Sequence, residues 1–536
     1  MSLGALSKVY VTMAFASLRN FLHAALIFGY ALAVVAGPVV DLGYAQYEGV
    51  VDTNLKITSF LGIRYAAAPT GSLRWQAPTP PSKIVGVQRS QEPPQCFQGS
   101  EGMSPINPLA VRDVQQSEDC LFLNVYSPAL NSSLPTIVWI HGGGYDAGAA
   151  SFYNGSELVQ EANNEIVVVV IQYRLGLFGF LAGQEVKDRG VANAGLRDQD
   201  FALRWVNKNI HKFGGDSDRV AIWGQSAGAG SVIQHIVARN GKTSPKLFRA
   251  AMTSSTFLGF QYDYNGEVPQ AVFNLVATQA GCNVTSPLDC LRGLDSATLA
   301  EINLNLITDA FFTTSMFYPV VDGSFIMQSP TDALAQGELN TDILLSVTNA
   351  NEGALFINQT GDYDVADYVR NLFPLLGSEE SSSVASLYES FGSSIDQLDA
   401  IVAESLLVCP TYLLLNAFSG KSYKGEYAIP PALHGDDMIN YFPTFDEFGL
   451  VEGFNNTDFI NAFTQGFLSF AVNLDPNVKV RPSIAPVWRK WSRGAETEML
   501  FNKTELNTPD IAPVNTSSAL LTRCDFWKSK HYLIGQ

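Results

Sequence analysis

A serine stands between two glycines at the end of an apolar segment, in Gly224-Gln225-Ser226-Ala227-Gly228. The preceding "RVAIW" predicts a buried strand, and helix-compatible residues follow from about Ala227. Such a G-x-S-x-G sequence is typical of a nucleophile elbow, a strand-to-helix turn that exposes a serine hydroxyl at the end of a sheet. A tight loop that contains serine by chance is the alternative. The choice depends on whether the chain also supplies a base and an acid.

The base is sought by elimination, because the chain has only six histidines. Five of them are poorly placed: one in the N-terminal segment, one in a glycine loop, two on predicted helices close to Ser226, and one near the C-terminus, namely His23, His141, His211, His235 and His531. His434 follows the strand-like "KGEYAI". A solvent-exposed loop histidine is the alternative. The order serine, acid, histidine found in α/β-hydrolases favours His434 as the general base.

The acid of such a triad lies between the serine and the histidine, just beyond a strand. Glu352 in "LLSVTNANEG" fits this position. Asp322 in "PVVDG" is the alternative, but its surroundings favour a turn. Glu352 is therefore the predicted acid, which accepts the Nδ1–H of His434 and stabilises the imidazolium.

Three consecutive glycines follow another apolar segment, in "WIHGGGYDAG". Glycine lets the backbone approach a substrate oxygen without a Cβ in the way. We assign the oxyanion donors to the backbone N–H groups of Gly143, Gly144 and Ala227. A phosphate-binding loop is excluded, since no Lys-Ser/Thr follows the glycines.

The elements that must position these residues are apolar runs separated by helical patterns. "PTIVWIHGGG", "EIVVVVIQYR", "RVAIWGQS" and "TDILLSVTNANEG" lack alternation, which is typical of strands buried on both faces of a largely parallel sheet. "NAGLRDQDFALRWVNKNI" predicts one of the intervening helices. The fold class is therefore α/β, with a large, mostly parallel central sheet flanked by helices. The polar run "GSEESSSVAS" is predicted to be an exposed loop.

Composition sets the class of the whole chain. It has 536 residues, 46% of them hydrophobic, and a formal net charge of −18. A nucleic-acid-binding function is excluded, because no basic cluster is present. Residues 1–36 are predicted to be a secretory signal peptide, with an uncleaved signal anchor as the alternative. Residues 37–536 are predicted to form one domain without a further membrane span.

Secretion agrees with the cysteines and with the glycosylation sequons. Six cysteines allow fifteen pairings, of which sequence proximity favours Cys96–Cys120 and Cys282–Cys290, leaving Cys409 and Cys524. Their spacings match no zinc motif, and no metal site is predicted. Seven Asn-x-Ser/Thr sequons are candidate glycosylation sites, at Asn131, Asn154, Asn283, Asn358, Asn455, Asn502 and Asn515.

From roughly Gly49 to Trp527 the chain resembles the type-B carboxylesterase/lipase family. The resemblance is carried by "FLGIRYAAAPTGSLRW", "SEDCLFLNVYSP", "WIHGGGY", "QYRLGLFGFL", "FGGDSDRVAIWGQSAGAGS" and "HGDD". It implies an α/β-hydrolase fold, the triad and oxyanion donors assigned above, the two local disulfides and no cofactor. It also implies two structural ion pairs, Arg74 with Glu118 and Arg174 with Asp198.

The chain departs from the family pattern at three positions. Gln225 stands where many members have glutamate. The first cysteine loop, which contains "INPLAV", is short and lacks the long amphipathic lid of the lipases, so small to medium ester substrates are expected. Asp146 follows the three glycines and is expected to add a charge near the entrance of the site.

The sequence therefore predicts a secreted serine carboxylic-ester hydrolase that forms an acyl-enzyme with a small-molecule ester. The alternatives are a lipase or sterol esterase acting on long-chain lipid esters, and a catalytically silent, cholinesterase-like binding protein. The sequence does not indicate an oligomeric state.

Overall fold

The computed structural model describes residues 37–99, 115–312, 314–445 and 453–536. The predicted signal peptide and the "INPLAV" segment of the first cysteine loop lie outside these ranges. The division of the chain into a signal peptide and one domain stays a prediction.

The strands of the described chain are β1 (Val39–Asp41), β2 (Gln46–Glu48), β3 (Val50–Asp52), β4 (Ile57–Arg64), β5 (Val87–Arg89), β6 (Phe122–Ser127), β7 (Leu134–Ile140), β8 (Val167–Ile171), β9 (Gly215–Gln225), β10 (Ala250–Ser254), β11 (Leu344–Asn349), β12 (Ser422–Tyr427), β13 (Thr497–Lys503) and β14 (Pro509–Asn515). The small sheet has the order β1-β2-β5.

The large sheet has eleven strands in the order β14-β13-β12-β11-β10-β9-β7-β8-β6-β4-β3. From β8 to β13 every neighbouring pair is parallel. Antiparallel pairs extend the sheet at both ends. The predicted mostly parallel central sheet is therefore present, and the carboxyl ends of its parallel strands meet at one edge.

The central strands are buried on both faces because their alternate residues enter two separate cores. Along β7, Val138 and Ile140 belong to one hydrophobic cluster. Ile137 and Trp139 belong to the other. This explains why the apolar runs show no alternation with polar residues, since each face of the sheet is covered.

The helices are α1 (Gly155–Glu161), α2 (Gly176–Phe180), α3 (Gln184–Arg189), α4 (Ala194–Asn209), α5 (Ala227–Val237), α6 (Glu267–Gln279), α7 (Pro287–Gly293), α8 (Ser296–Thr308), α9 (Pro330–Ala335), α10 (Val365–Leu372), α11 (Ser378–Tyr388), α12 (Ser394–Ala403), α13 (Cys409–Ala417), α14 (Thr457–Asn473), α15 (Ser518–Ser529) and α16 (His531–Ile534). Two helices matter most for the site and its surroundings. The predicted helix around Leu196 is α4, and the helix predicted after Ser226 is α5.

The prediction of an exposed loop at "GSEESSSVAS" is wrong, because these residues form most of α11. Ser381, Val384 and Tyr388 are buried on one face of this helix, while Glu379 lies in its first turn. The spacing of three and four residues is helical. The polar composition concealed it, since a serine fills one of the buried positions.

Three disulfides join the cysteines: the two local pairs that sequence proximity favours, and the pair formed by the two cysteines that were left. They are Cys96–Cys120, Cys282–Cys290 and Cys409–Cys524. The last one connects α13 to α15 across 115 residues of sequence.

One helical stretch in the described ranges, Ser394–Ala417, is long and apolar enough to cross a membrane. Of its most apolar window, 78% is buried inside the protein. A core helix passes the same test of length and composition.

Candidate active site

The backbone at Ser226 takes a conformation that few non-glycine residues adopt. Its φ is 56° and its ψ is −126°. Ser226 follows the last residue of β9 and precedes the first residue of α5. Its N–H donates to the carbonyl of Ser254 at 3.0 Å, and its carbonyl accepts the N–H of Gly230 at 2.9 Å. Such a conformation costs about 1–3 kcal/mol and persists only where surrounding contacts enforce it.

The two glycines around the serine are required by close backbone contacts. A Cβ on Gly228 would lie 2.1 Å from the carbonyl oxygen of Ile140, the last residue of β7. A Cβ on Gly224 would lie 2.3 Å from the carbonyl carbon of Gly228. The turn can therefore pack against the neighbouring strand only without side chains at these two positions. The strand–turn–helix context predicted for the G-x-S-x-G sequence is present.

The predicted base and acid are in contact. Nδ1 of His434 lies 2.6 Å from Oε2 of Glu352. Glu352 is fully buried, and His434 is 8% exposed. Glu352 comes three residues after β11 ends, and His434 follows β12. Because β9, β11 and β12 belong to the parallel part of the sheet, their carboxyl ends bring Ser226, Glu352 and His434 to the same edge.

Gln225 contacts the other nitrogen of the same imidazole. Its Nε2 lies 3.2 Å from Nε2 of His434. This contact was not foreseen from the sequence, which marked Gln225 only as a departure from the family pattern.

The acid is held by groups that the sequence analysis also missed. The N–H of Asn349 donates to Oε1 of Glu352 at 2.7 Å. The Asn349 amide donates to Ser255 and to Asp437, each at 3.0 Å. Asp437 also accepts from the Tyr441 hydroxyl, and burial raises the pKa of its carboxyl to about 6. The available signal was positional, since Asn349 ends a buried strand and Asp437 lies in "HGDD".

The glycine loop after β7 lies directly against the serine. A Cβ on Gly142 would lie 3.1 Å from Cβ of Ser226. Gly143 and Gly144 have φ values of 97° and 63°. Among the described residues, no acceptor takes the N–H of Gly143, Gly144 or Ala227. The loop therefore presents backbone donors beside the elbow.

The expectation that Asp146 adds a charge at the site entrance is wrong. Asp146 is fully buried. Its N–H and that of Ala147 both donate to the carbonyl of Gly143, at 2.9 and 2.8 Å, which turns the chain inward. Its carbonyl accepts the N–H of Gly99 at 2.6 Å, so the first cysteine loop covers it.

The alternative acid, Asp322, has a different environment. Its Oδ1 accepts the N–H groups of Ser324 and Phe325 at 2.7 and 2.6 Å. Its Oδ2 accepts the Asn193 amide at 2.8 Å. These bonds close a turn, as the sequence around Asp322 predicts.

The other described histidines have local roles. His141 stacks on Tyr173 at 4.4 Å between ring centroids, and burial lowers its pKa to about 4. His235 is bonded to Gln199, and burial lowers its pKa to about 4 as well. His211 is exposed, and His531 contacts the carbonyl of Lys528. His23 lies outside the described residues.

Both ion pairs implied by the family resemblance are present. Nε of Arg74 lies 2.6 Å from Oε1 of Glu118, and Nε of Arg174 lies 2.7 Å from Oδ2 of Asp198. Arg174 precedes α2 and Asp198 lies on α4, so this pair links the segment before α2 to α4.

An apolar cavity of about 220 Å³ has none of Ser226, Glu352 and His434 among its lining residues. Phe180, Phe260 and Tyr318 are among its lining residues. Tyr145, which follows Gly144, contacts the Phe180 ring with centroids 4.9 Å apart. One aromatic residue thus connects the glycine loop to the cavity. In the part of the chain that the structure describes, no cluster of three or more His, Cys, Asp or Glu side chains is arranged to hold a metal ion.

The chain is similar to known lipases and carboxylesterases of fungi. The secreted lipase of Arthroderma benhamiae is 29% identical over 459 residues, which cover 81% of this chain and 87% of the lipase. Carboxylesterase patB of Aspergillus clavatus is 29% identical over 556 residues, covering 92% and 96%. The crystal structure of Aspergillus niger EstA matches with a TM-score of 0.82 at 29% identity, covering 94% of this chain and 99% of EstA.

The likeness to solved structures confirms the predicted α/β-hydrolase fold. The model of the carboxylesterase family matches residues 36–527, nearly the whole length. The chain belongs to the carboxylesterase family and is a carboxylic ester hydrolase.

Proposed function

We propose that the protein is a secreted serine esterase that uses Ser226, His434 and Glu352 as a catalytic triad on small to medium ester substrates. One observation carries this proposal: the 2.6 Å contact between His434 Nδ1 and Glu352 Oε2 lies at the sheet edge where the elbow presents Ser226.

In the acylation step, the Ser226 hydroxyl attacks the ester carbonyl carbon and its proton passes to Nε2 of His434. The Glu352 carboxylate accepts the Nδ1–H and stabilises the imidazolium that results. The imidazolium then returns the proton to the leaving alcohol as the tetrahedral intermediate collapses to an acyl-enzyme. In the second half, water repeats the attack with His434 as its base, and the acid product and Ser226 are released.

The backbone N–H groups of Gly143, Gly144 and Ala227 stabilise the oxyanion in both steps. Their support is the loop geometry, in which Gly142 packs against Ser226 and the three donors have no acceptor among the described residues. Preorganised donors of this kind are each worth about 10²–10³ in rate.

The preference for small to medium esters is supported by the first cysteine loop. It has only 23 residues between Cys96 and Cys120 and contains no extended amphipathic pattern.

Secretion is supported by three independent features. One relative is named a secreted lipase. All six cysteines form disulfides, which persist in oxidising compartments. Of the seven sequon asparagines, Asn502 is half-buried. The other six are exposed, namely Asn131, Asn154, Asn283, Asn358, Asn455 and Asn515.

The first prediction is that Ser226→Ala lowers kcat/KM for p-nitrophenyl acetate and butyrate at least about 1,000-fold, because the nucleophile is removed. The control is Ser382→Ala, which changes an exposed serine on α11 and is expected to keep wild-type rates. Equal rates in wild type and Ser226→Ala would contradict the proposal. Inertness of both proteins would favour the silent binding protein.

A lipase is the second candidate, favoured by the relative named a secreted lipase. A series of p-nitrophenyl esters from two to sixteen acyl carbons separates the two functions. The short first cysteine loop predicts a maximum at the short end. A maximum at long chains that appears only with emulsified substrate would indicate the lipase.

A further inference from the structure

Gln225 is the residue in contact with the free nitrogen of the proposed base. It is the last residue of β9 and is 7% exposed. Its Nε2 lies 3.2 Å from Nε2 of His434, the nitrogen that has to receive the Ser226 proton. Gln225, which precedes Ser226 in sequence, thus presents its amide to the imidazole of the proposed base.

The hydrogen-bond pattern decides which end of the amide faces the ring. The Glu352 carboxylate has no proton to donate, so Nδ1 of His434 carries the proton of the 2.6 Å bond. In the neutral imidazole, Nε2 then carries a lone pair. Only the NH₂ group of Gln225 can donate to it, and the orientation of the amide is consistent with this.

Two glycines make room for the amide. A Cβ on Gly142 would lie 2.8 Å from Oε1 of Gln225, and a Cβ on Gly435 would lie 3.7 Å from its Nε2. The amide therefore lies between the glycine loop and the residue after His434. No side chain of these two neighbours blocks its rotation.

Among the described residues, the titratable groups with a contact or electrostatic interaction with His434 are acidic. Glu352 binds Nδ1, and Asp436 and Asp437 on the histidine's own loop interact electrostatically with the ring. Burial raises the pKa of both aspartates. The remaining polar contact comes from Gln225, which is neutral. A carboxylate at this position would add another negative charge next to Nε2.

We propose that Gln225 is a positioning residue that donates to Nε2 of His434 in the free enzyme and keeps the imidazole neutral and in place. When this nitrogen is protonated, the side-chain amide of Gln225 rotates. The proposal rests on the proposed function. During attack the Oγ–H bond of Ser226 breaks and an Nε2–H bond forms. The NH₂ group can no longer donate to this nitrogen, and rotation of the amide brings Oε1 toward the new N–H.

The pH profile of kcat/KM tests this role in Gln225→Met and Gln225→Glu. Methionine is similar in size but has no donor, so loss of the bond to the neutral ring moves the acidic midpoint upward by up to about one pH unit. Glutamate attracts the imidazolium, so its midpoint rises by about one to three units. The expected order of midpoints is wild type, then methionine, then glutamate.

The control for charge is Gln279→Glu, at the exposed end of α6. Its midpoint is expected to equal that of wild type. Equal midpoints in wild type and Gln225→Met, or a lower midpoint in Gln225→Glu, would overturn the proposal. If Gln225→Glu does not fold, the direction of the shift in Gln225→Met decides alone.

A second measurement separates this proposal from the proposed function. Titration of the ¹⁵N-labelled imidazoles by NMR without substrate, with the His434 signals assigned from His434→Gln, is expected to give the same order of midpoints. That order in a protein that hydrolyses no ester would reject the esterase and keep the Gln225 contact. Ser226-dependent hydrolysis with unshifted NMR midpoints would reject the Gln225 role.

Discussion

At the scale of single residues, Glu352 and Asp322 show that a buried carboxylate can serve two different purposes. Both are buried carboxylates that accept backbone N–H groups. Glu352 leaves one oxygen for His434, whereas Asp322 uses its oxygens on a turn and on Asn193. Burial and hydrogen bonding alone therefore do not identify the acid. The partner of the second oxygen distinguishes the two, since it is His434 for Glu352 and Asn193 for Asp322.

Replacing each carboxylate by its amide tests this difference. Glu352→Gln is expected to lower kcat by about 10²–10⁴-fold, because the amide favours the wrong imidazole tautomer. Asp322→Asn is expected to keep kcat within about twofold and to lower the free energy of unfolding by about 1–3 kcal/mol. Ester hydrolysis and urea unfolding of both variants provide the measurements. A large loss of kcat in Asp322→Asn with little in Glu352→Gln would assign the acid to Asp322.

Sequence reasoning predicted Ser226, Glu352 and His434 from their order and their strand-end positions, which are local properties. It missed the contact between Gln225 and His434, which are 209 residues apart in sequence. It expected Asp146 to add a charge near the site entrance, whereas Asp146 is fully buried after the turn at Gly143. Long-range distance and burial of charge are set by packing, which local patterns do not record.

At the scale of secondary structure, the elbow joins β9, α5 and β7 through backbone contacts. Gly228 lies on α5 and touches the end of β7, while Gly224 touches Gly228. The strained φ of Ser226 is enforced by this packing, because the strand and helix on either side are both held. The position of the serine hydroxyl is thus a property of three elements. The strand–helix order was predictable, but the contact with β7 was not.

A methyl group at Gly228 tests this coupling. Gly228→Ala is expected to destabilise the protein by more than about 2 kcal/mol and to lower activity, since the Cβ would collide with backbone oxygen atoms of β7 and its loop. The control is Gly293→Ala at the end of α7, where a Cβ meets nothing within 4 Å. That variant is expected to stay within about 0.5 kcal/mol of wild type. Equal melting temperatures for the two variants would contradict the packing argument.

At the scale of the whole molecule, the disulfides constrain segments of very different length. Cys282–Cys290 closes a loop with a separation of 8 residues, and Cys409–Cys524 one of 115. The longer link connects α13, beneath β11, to α15 near the C-terminus. The local pairs were favoured by sequence proximity, whereas the third followed only by elimination.

Removing each disulfide is expected to lower the free energy of unfolding by an amount that grows with the length of the loop it closes, because the disulfide restricts the unfolded chain. The double variant Cys409→Ser/Cys524→Ser loses about 5 kcal/mol of stability by loop-closure entropy, and Cys282→Ser/Cys290→Ser about 2.5 kcal/mol. Urea midpoints of the two double variants and wild type provide the comparison. A larger loss in Cys282→Ser/Cys290→Ser would show that native contacts, rather than chain entropy, determine the contribution.

The two edge strands of the large sheet affect how readily the protein aggregates at high concentration. The unpaired side of an edge strand is a template on which another chain can add a strand and begin aggregation. One edge strand, β14, contains Pro509 and Pro513, which have no backbone N–H to donate to an incoming strand. The other edge strand, β3, has three residues and ends in Asp52. In the described part of the chain, the large sheet thus ends in a strand with two prolines on one side and in a three-residue strand on the other, and both features disfavour the addition of a strand from another molecule.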